Sequence, residues 1–175
     1  MTPLRADAQR NLGLVLEAAA VVFRERGPEA SIDEIAHRAG VGHATVLRHF
    51  GTKDDLMAAV VEQRIIELTE LAERALAADD PGAAFADFVW QVADLHHRDR
   101  GLHDCLLRCA HEPGAEALQR LAARIVARAQ KAGEVRRDVR PEDVPGLVRA
   151  ALRTAPPGRW RPYVEVVLQG LRPAA

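Results

Sequence analysis

The chain has 175 residues and a formal net charge of −1, with 24 Lys and Arg residues against 25 Asp and Glu residues. This length fits one domain of ordinary size or two small ones, and an apolar share of 48% excludes a disordered chain. Apolar runs such as residues 18–23 are far too short to cross a bilayer, which excludes a membrane protein. The near-neutral charge also argues against a protein that coats nucleic acid through general basicity.

The kinds of apolar residue favour an all-α fold. Alanine and leucine, both strong helix formers, number 32 and 19, whereas aromatic residues make up only 4% of the chain. Glycine, proline and capping residues divide the sequence into about nine helices. We expect these helices at residues 8–25, 32–39 and 43–50, then a long one after 52, one from 81, and four more at 101–110, 115–132, 143–153 and 159–170.

Residues 31–53 have the pattern of a helix-turn-helix. Ser31 and Glu34 have the spacing of a capping box, which predicts a helix that starts at residue 32. Gly40 permits the positive φ of a tight turn, and Val41 is placed to pack beneath two short helices. The second of these, from His43 onward, is the one expected to enter a DNA major groove.

Local charge supports the same interpretation. Residues 35–53 contain no Asp or Glu but include Arg38, Arg48 and Lys53, so this window carries three positive charges before any histidine is protonated. A local cationic face suits the phosphate backbone of DNA. Because such a window also arises by chance in an Arg-rich chain, it indicates DNA binding only together with the turn and the capping residues.

Two stretches resemble the TetR-type transcriptional regulators: residues 16–27, and SIDEIAHRAGVGHATVLRHF from Ser31 to Phe50 followed by GTKDDL. The likeness covers roughly the first 60 residues, and the segment from Trp160 to Pro173 resembles the C-terminal helix of actinobacterial members. It implies a three-helix DNA-binding domain over residues 1–52. Residues 53–175 would then form a helical ligand-binding and dimerisation domain.

The resemblance also implies which residues contact DNA. Ser31 and Lys53 lie at helix starts, where backbone amides and an ammonium suit a phosphate. Arg48 is expected to contact a base or the backbone, and His49 resembles the family's backbone-contacting histidine. Phe50 is expected to pack in the core instead. The expected DNA-binding residues are Ser31, His43, Ala44, Thr45, Leu47, Arg48, His49 and Lys53.

The recognition segment departs from the family pattern at Gly42, Ala44, Val46 and Leu47. The family usually has Gly-Thr-Leu-Tyr where this chain has Ala44 to Leu47. Leu47 therefore lacks a tyrosine hydroxyl that commonly contacts phosphate, a hydrogen bond typically worth about 1 kcal/mol. Gly42 stands where a serine usually caps the helix, which weakens the cap by a few tenths of a kcal/mol.

By the same resemblance, the fifth to seventh helices enclose a pocket for a small-molecule effector that changes DNA affinity. Residues on the central, fifth helix are the candidates to line it, with core packing as the competing interpretation for each. These candidates are Phe85, Phe88, Trp90, His96 and His97.

Histidines and cysteines are concentrated between residues 96 and 111, which suggests a metal- or thiol-responsive regulator as an alternative function. Cys105 and Cys109 would carry that response together with nearby histidines. Helical geometry argues against a shared site, since His103 points about 160° away from Cys105. Cysteine is also commonly buried without a ligand role, so we predict no metal and no cofactor. A second alternative is a helical adaptor whose DNA-binding face has decayed.

Two copies of the motif are needed to read two half-sites of an operator, which predicts a homodimer on double-stranded DNA. Apolar stripes on the last two helices are the candidate interface, although such stripes can equally close an intramolecular core. The candidate interface residues are Leu147, Val148, Ala151, Trp160, Tyr163, Val164, Val167 and Leu168.

No motif in the chain supports an enzyme. Gly40-Val41-Gly42 does not continue as a dinucleotide-binding fingerprint, and there is no phosphate loop or nucleophile elbow. The two cysteines and the lack of an apolar signal core at the N-terminus indicate the cytoplasm. The sequence thus predicts a homodimeric, ligand-responsive DNA-binding regulator, with repression of a palindromic operator as the expected mode.

Overall fold

The computed structural model describes residues 3–109, 113–156 and 158–173. These residues form nine α-helices and no strand, which confirms the predicted fold class. The helices are α1 (Pro3–Arg26), α2 (Ile32–Ala39), α3 (His43–Phe50), α4 (Lys53–Ala77), α5 (Pro81–Arg98), α6 (Arg100–Arg108), α7 (Pro113–Ala132), α8 (Val144–Thr154) and α9 (Arg161–Gly170). A single 3₁₀ turn, Gly27–Glu29, follows α1. No helix in these described ranges is long and apolar enough to cross a membrane.

The chain divides into two compact units. The first unit is Met1–Arg64 with Asp99–Ala110, and the second is Ile65–Arg98 with His111–Ala175. The first unit therefore contains α1 to α3, the start of α4 and, from much later in the chain, α6. The predicted division after residue 52 is one of function, between DNA binding and ligand binding, and it stays a prediction.

Helix α6 joins the first unit through an unusually close backbone approach. Gly101 lies against the end of α1, so that a Cβ atom at this position would come within 2.6 Å of the Arg24 carbonyl oxygen and 2.7 Å of the Gly27 amide nitrogen. Leu102 and Cys105 of α6 are buried in the same unit. The Asp99 carboxylate, just before α6, pairs with Arg24 of α1 and with Arg64 of α4.

The second unit is built around α5. One buried cluster joins residues of α5 to residues of α4, α7, α8 and α9, including Phe85, Phe88, Ile125, Leu152 and Trp160. Helix α5 begins as predicted at Asp80-Pro81, where the Asp80 Oδ1 accepts hydrogen bonds from the Gly82 and Ala83 amides at 2.9 and 3.0 Å. An aspartate in this position stabilises a helix N-terminus.

Candidate nucleic-acid interface and ligand pocket

Helix α2 begins with the predicted capping box. The Glu34 amide donates to Ser31 Oγ at 3.2 Å, while the Ser31 amide donates to Glu34 Oε2 at 2.9 Å. The backbone and hydroxyl hydrogen bonds from Ser31 lower the pKa of the Glu34 carboxyl below its usual value. Ser31 therefore has a structural role in the cap, and its predicted contact with phosphate stays a prediction.

The turn between α2 and α3 has the geometry expected of the motif. Gly40 adopts the left-handed conformation, with φ 69° and ψ 27°, which favours glycine because it has no Cβ. The Gly40 amide donates to the His37 carbonyl at 3.2 Å, and the Val41 amide donates to the Ala36 carbonyl at 3.0 Å. This pair of bonds is a Schellman motif, and it ends α2 sharply so that α3 can start at His43.

Helix α3 turns most of its side chains away from the core. Val46 is its one buried residue, with no exposed surface. His43, Ala44 and Arg48 are exposed, and Thr45, Leu47 and His49 are partly exposed. Phe50, expected to be the core residue of this helix, is also only partly buried, so Val46 performs that role.

The charges of this surface are more balanced than the window of residues 35–53 suggested. Arg38 forms an ion pair with Glu25 of α1 at 3.1 Å, and the Lys53 ammonium donates to the Pro28 carbonyl at 2.9 Å. The His43 Nδ1 lies 2.6 Å from the Asp33 Oδ1 of α2. Among the three cations, Arg38 forms an ion pair and Lys53 a hydrogen bond, whereas Arg48 has neither within the described residues. Sequence reasoning missed these partners because they lie outside the window and reach it only in the folded chain.

An open pocket of about 500 Å³ lies in the second unit, between α4, α5 and the start of α9. Trp90 and Trp160 form one side, with ring centroids 6.0 Å apart, and the Arg161 guanidinium lies 5.0 Å from the Trp160 ring centroid. Carboxylates, guanidinium groups, two leucines and one glutamine complete the lining. The lining residues are Glu67, Glu70, Leu71, Arg74, Trp90, Gln91, Asp94, Leu95, Arg98, Trp160 and Arg161.

Of the five residues expected to line a ligand site, Trp90 alone lines this pocket. Phe85 and Phe88 belong to the core of the second unit, and His96 is buried as well. The His97 ring lies 5.6 Å from the Trp160 ring, but His97 is not part of the pocket lining. Periodicity placed these residues on apolar faces of α5, but it did not distinguish a face that packs from one that borders a cavity. The contribution of Trp160 was missed because it comes from the start of α9.

The candidate dimer residues fall into two groups. Val148, Trp160 and Val164 are buried within the second unit, at 6%, 6% and 1% exposed, so in this structure they offer almost no surface to a second copy. Leu147 and Tyr163 are exposed, while Ala151, Val167 and Leu168 are partly exposed. The sequence did not single out Val166, which is 68% exposed on α9. An exposed apolar face therefore remains on α8 and α9.

The cysteines of α6 occupy different environments. Cys105 is fully buried, and burial raises the pKa of its thiol to about 12. Cys109 is partly exposed, and His111 lies outside the described residues. Within the ranges that the structure describes, no three His, Cys, Asp or Glu side chains form a group able to hold a metal ion. The thiol-responsive alternative therefore loses Cys105 as a reactive group.

Two family profiles match the chain. The profile described as "Bacterial regulatory proteins, tetR family" matches residues 15–60, and that described as "Transcriptional regulator SbtR-like, C-terminal domain" matches residues 80–173. Together they include the helix-turn-helix and most of the second unit. The second match alone extends over more than half of the chain.

Similar proteins include a transcriptional repressor and a transcriptional activator. An HTH-type transcriptional repressor of Mycobacterium tuberculosis is 48% identical over 85 residues, which are 48% of this chain and 41% of that protein. The HTH-type transcriptional activator FasR of Mycolicibacterium smegmatis is 40% identical over 73 residues, 41% of this chain and 33% of its own length. The matches to these curated relatives thus span less than half of their length.

A solved structure matches over nearly the whole chain. It is a TetR transcription regulatory protein from Mycobacterium vanbaalenii, with 39% identity and a TM-score of 0.65. The match covers 97% of this chain and 99% of that one.

Proposed function

The chain belongs to the TetR family of bacterial transcriptional regulators, and we propose that it binds an operator in double-stranded DNA as a homodimer. In this proposal it acts in the cytoplasm, represses transcription, and is released by a small-molecule effector. The observation that carries the proposal is helix α3, which is held by one buried residue, Val46, and presents His43, Ala44 and Arg48 to solvent. A short helix exposed in this way, after a tight turn, has the form needed to enter a major groove.

Binding of the purified chain to a duplex from upstream of its own gene tests the DNA-binding step. Arg48→Ala and His49→Ala are expected to weaken binding by roughly tenfold, because each removes a contact to phosphate or base. Arg48→Ala is also expected to reduce the slope of the logarithm of the binding constant against the logarithm of salt concentration by about one, because one fewer counterion is released. Arg120→Ala serves as the matched control, since it removes the same charge from the exposed surface of α7. No binding at low salt, or equal losses in all three variants, would contradict the proposal.

The dimer is proposed to form through α8 and α9. The exposed apolar side chains of Leu147, Tyr163 and Val166 lie on these two helices, and burial of such a face against a second copy is favourable. A symmetric dimer places two α3 helices on two half-sites of a palindrome. Leu147→Asp combined with Val166→Asp is therefore expected to give monomers in sedimentation experiments. Ile66→Asp, a change at an equally exposed apolar residue of α4, should leave the dimer intact.

The effector is proposed to bind in the pocket beside Trp90 and Trp160. These are the two tryptophans of the chain, so energy transfer from tryptophan to the fluorescent anion 1-anilinonaphthalene-8-sulfonate reports binding of the dye near them, and a variant of the pocket lining tests whether the dye occupies the pocket. The aromatic rings suit a flat molecule. The lining holds three carboxylates and three guanidinium groups, and the Arg161 guanidinium beside the Trp160 ring is placed to pair with an acidic group on that molecule. Arg161→Ala is expected to reduce the transfer, and Arg120→Ala to leave it unchanged. Equal transfer in both variants would contradict an anion-binding site beside Arg161.

A further inference from the structure

Asp33 and His43 link the first turn of α2 to the first residue of α3. The Asp33 Oδ1 lies 2.6 Å from the His43 Nδ1, and the two side chains are 81% and 50% exposed. The cap of α2 does not require Asp33, because Ser31 and Glu34 complete it between themselves. The contact instead fixes a side chain at the start of the helix proposed to enter the groove.

The chemistry of the pair determines which ring nitrogen faces away from it. A carboxylate only accepts hydrogen bonds, so the His43 Nδ1 carries the hydrogen that it donates to Asp33. In the neutral imidazole, Nε2 is then an acceptor. The carboxylate thus selects one of the two tautomers and holds the ring in one orientation.

We propose that Asp33 is a positioning residue that sets base preference by orienting His43. With Nε2 as an acceptor, the imidazole is matched to the exocyclic amines that adenine and cytosine present in the major groove, at N6 and N4. Guanine and thymine present acceptors at the corresponding positions and are disfavoured. This inference rests on the proposed function, since it assumes that α3 enters the groove.

The negative charge of Asp33 has a second consequence. An exposed carboxylate beside the DNA-binding face repels phosphate, and this repulsion acts on every DNA sequence. At an operator, the hydrogen bond between His43 and an adenine or cytosine amine offsets this repulsion. Asp33 therefore widens the difference in affinity between operator and other DNA, in addition to setting the base preference.

Binding of the full chain to an operator, to all its single-base-pair variants and to unrelated DNA tests the proposal. The wild type is expected to prefer adenine or cytosine by about tenfold at one position of each half-site. Asp33→Ala should abolish the base preference at that position, leave the preferences at the other positions unchanged, and strengthen binding to unrelated DNA. Asp33→Asn keeps an oxygen that can accept from Nδ1, so it should retain the preference while also strengthening binding to unrelated DNA.

The His43→Ala variant supplies the matched background. Asp33→Ala added to His43→Ala should not change base preference further, because the group that Asp33 orients is absent. An unchanged preference in Asp33→Ala, a preference for guanine at the position that responds, or an additive effect in the double variant would overturn the inference and leave DNA binding standing. Failure of the wild type to bind any duplex would overturn the proposed function with it.

Discussion

The carboxylate of Asp99 pairs with the guanidinium of Arg64, and both side chains are almost buried, at 14% and 10% exposed. The same carboxylate also pairs with Arg24, whose side chain is 44% exposed. Asp99 thus joins the start of α6 to α1 and α4 within the first unit. The two ion pairs differ mainly in their exposure to water, which gives them different energetic weights.

Replacing Asp99 by alanine is expected to lower the free energy of unfolding by about 3 kcal/mol, because it removes the carboxylate from a nearly buried guanidinium. Arg24→Ala, at the solvent-exposed pair, should cost less than about 1 kcal/mol. Urea denaturation followed by circular dichroism measures both. Because Asp99→Ala breaks both pairs and Arg24→Ala only one, equal decreases in the free energy of unfolding would show that the nearly buried Arg64–Asp99 pair adds no stability.

Gly101→Ala is expected to destabilise the chain by about 3 kcal/mol or more, since the added Cβ overlaps the backbone at the end of α1. Gly13→Ala is the matched control, because Gly13 lies within α1 and an added Cβ there meets nothing within 4 Å. The control should be stabilised by roughly 1 kcal/mol from helix propensity. A Gly101→Ala protein as stable as the wild type would contradict the observed packing of α6.

The two cysteines are expected to differ in reactivity. With a pKa of about 12, the buried Cys105 thiol remains protonated at pH 8, whereas the partly exposed Cys109 is accessible to reagents. Labelling with N-ethylmaleimide, read by mass spectrometry, should modify Cys109 first in the native chain. In urea both should react at similar rates. Rapid native labelling of Cys105 would restore the thiol-responsive hypothesis.

The cap of α2 is expected to depend on pH. The pKa of Glu34 is lowered in the folded chain, so its stabilising effect is complete above the unfolded pKa near 4.5 and is lost as pH falls through the lower folded pKa. Ser31→Ala should cost about 1 kcal/mol near neutral pH. The difference in stability between wild type and Ser31→Ala should narrow as the solution is acidified below pH 4.5. A constant difference over this range would show that Glu34 does not contribute through its charge.

Local signals predicted the helices well, because caps and breakers act within a few residues. The long helix expected after residue 52 begins with a Thr52–Asp55 cap, in which the Asp55 amide donates to Thr52 Oγ1 at 3.1 Å. The packing of α6 was not predictable in the same way. In the sequence, Gly101 is one glycine within a helical segment and indicates no contact. Only the folded structure shows that a residue without a Cβ is needed there, because the end of α1 lies against it.

The sequence was sufficient to predict which helix presents the candidate DNA-binding residues. It was not sufficient to predict which residues of other helices contact them. Contacts between α2 and α3, such as Asp33 with His43, depend on how the turn at Gly40 directs the second helix. The pocket combines Trp90 with Trp160 and Arg161, which are about 70 residues apart in the chain. Pairings of this kind depend on tertiary packing, for which periodicity along one helix carries no information.

Selection of the purified chain's binding sites from a pool of random duplexes tests the central claim most directly. A homodimer that reads DNA through two α3 helices should enrich an inverted repeat whose half-sites lie about one helical turn apart, roughly 10 base pairs centre to centre. The Leu147→Asp, Val166→Asp protein should fail to enrich that repeat. Enrichment of no sequence by the wild type, or of one unrepeated half-site, would contradict the account.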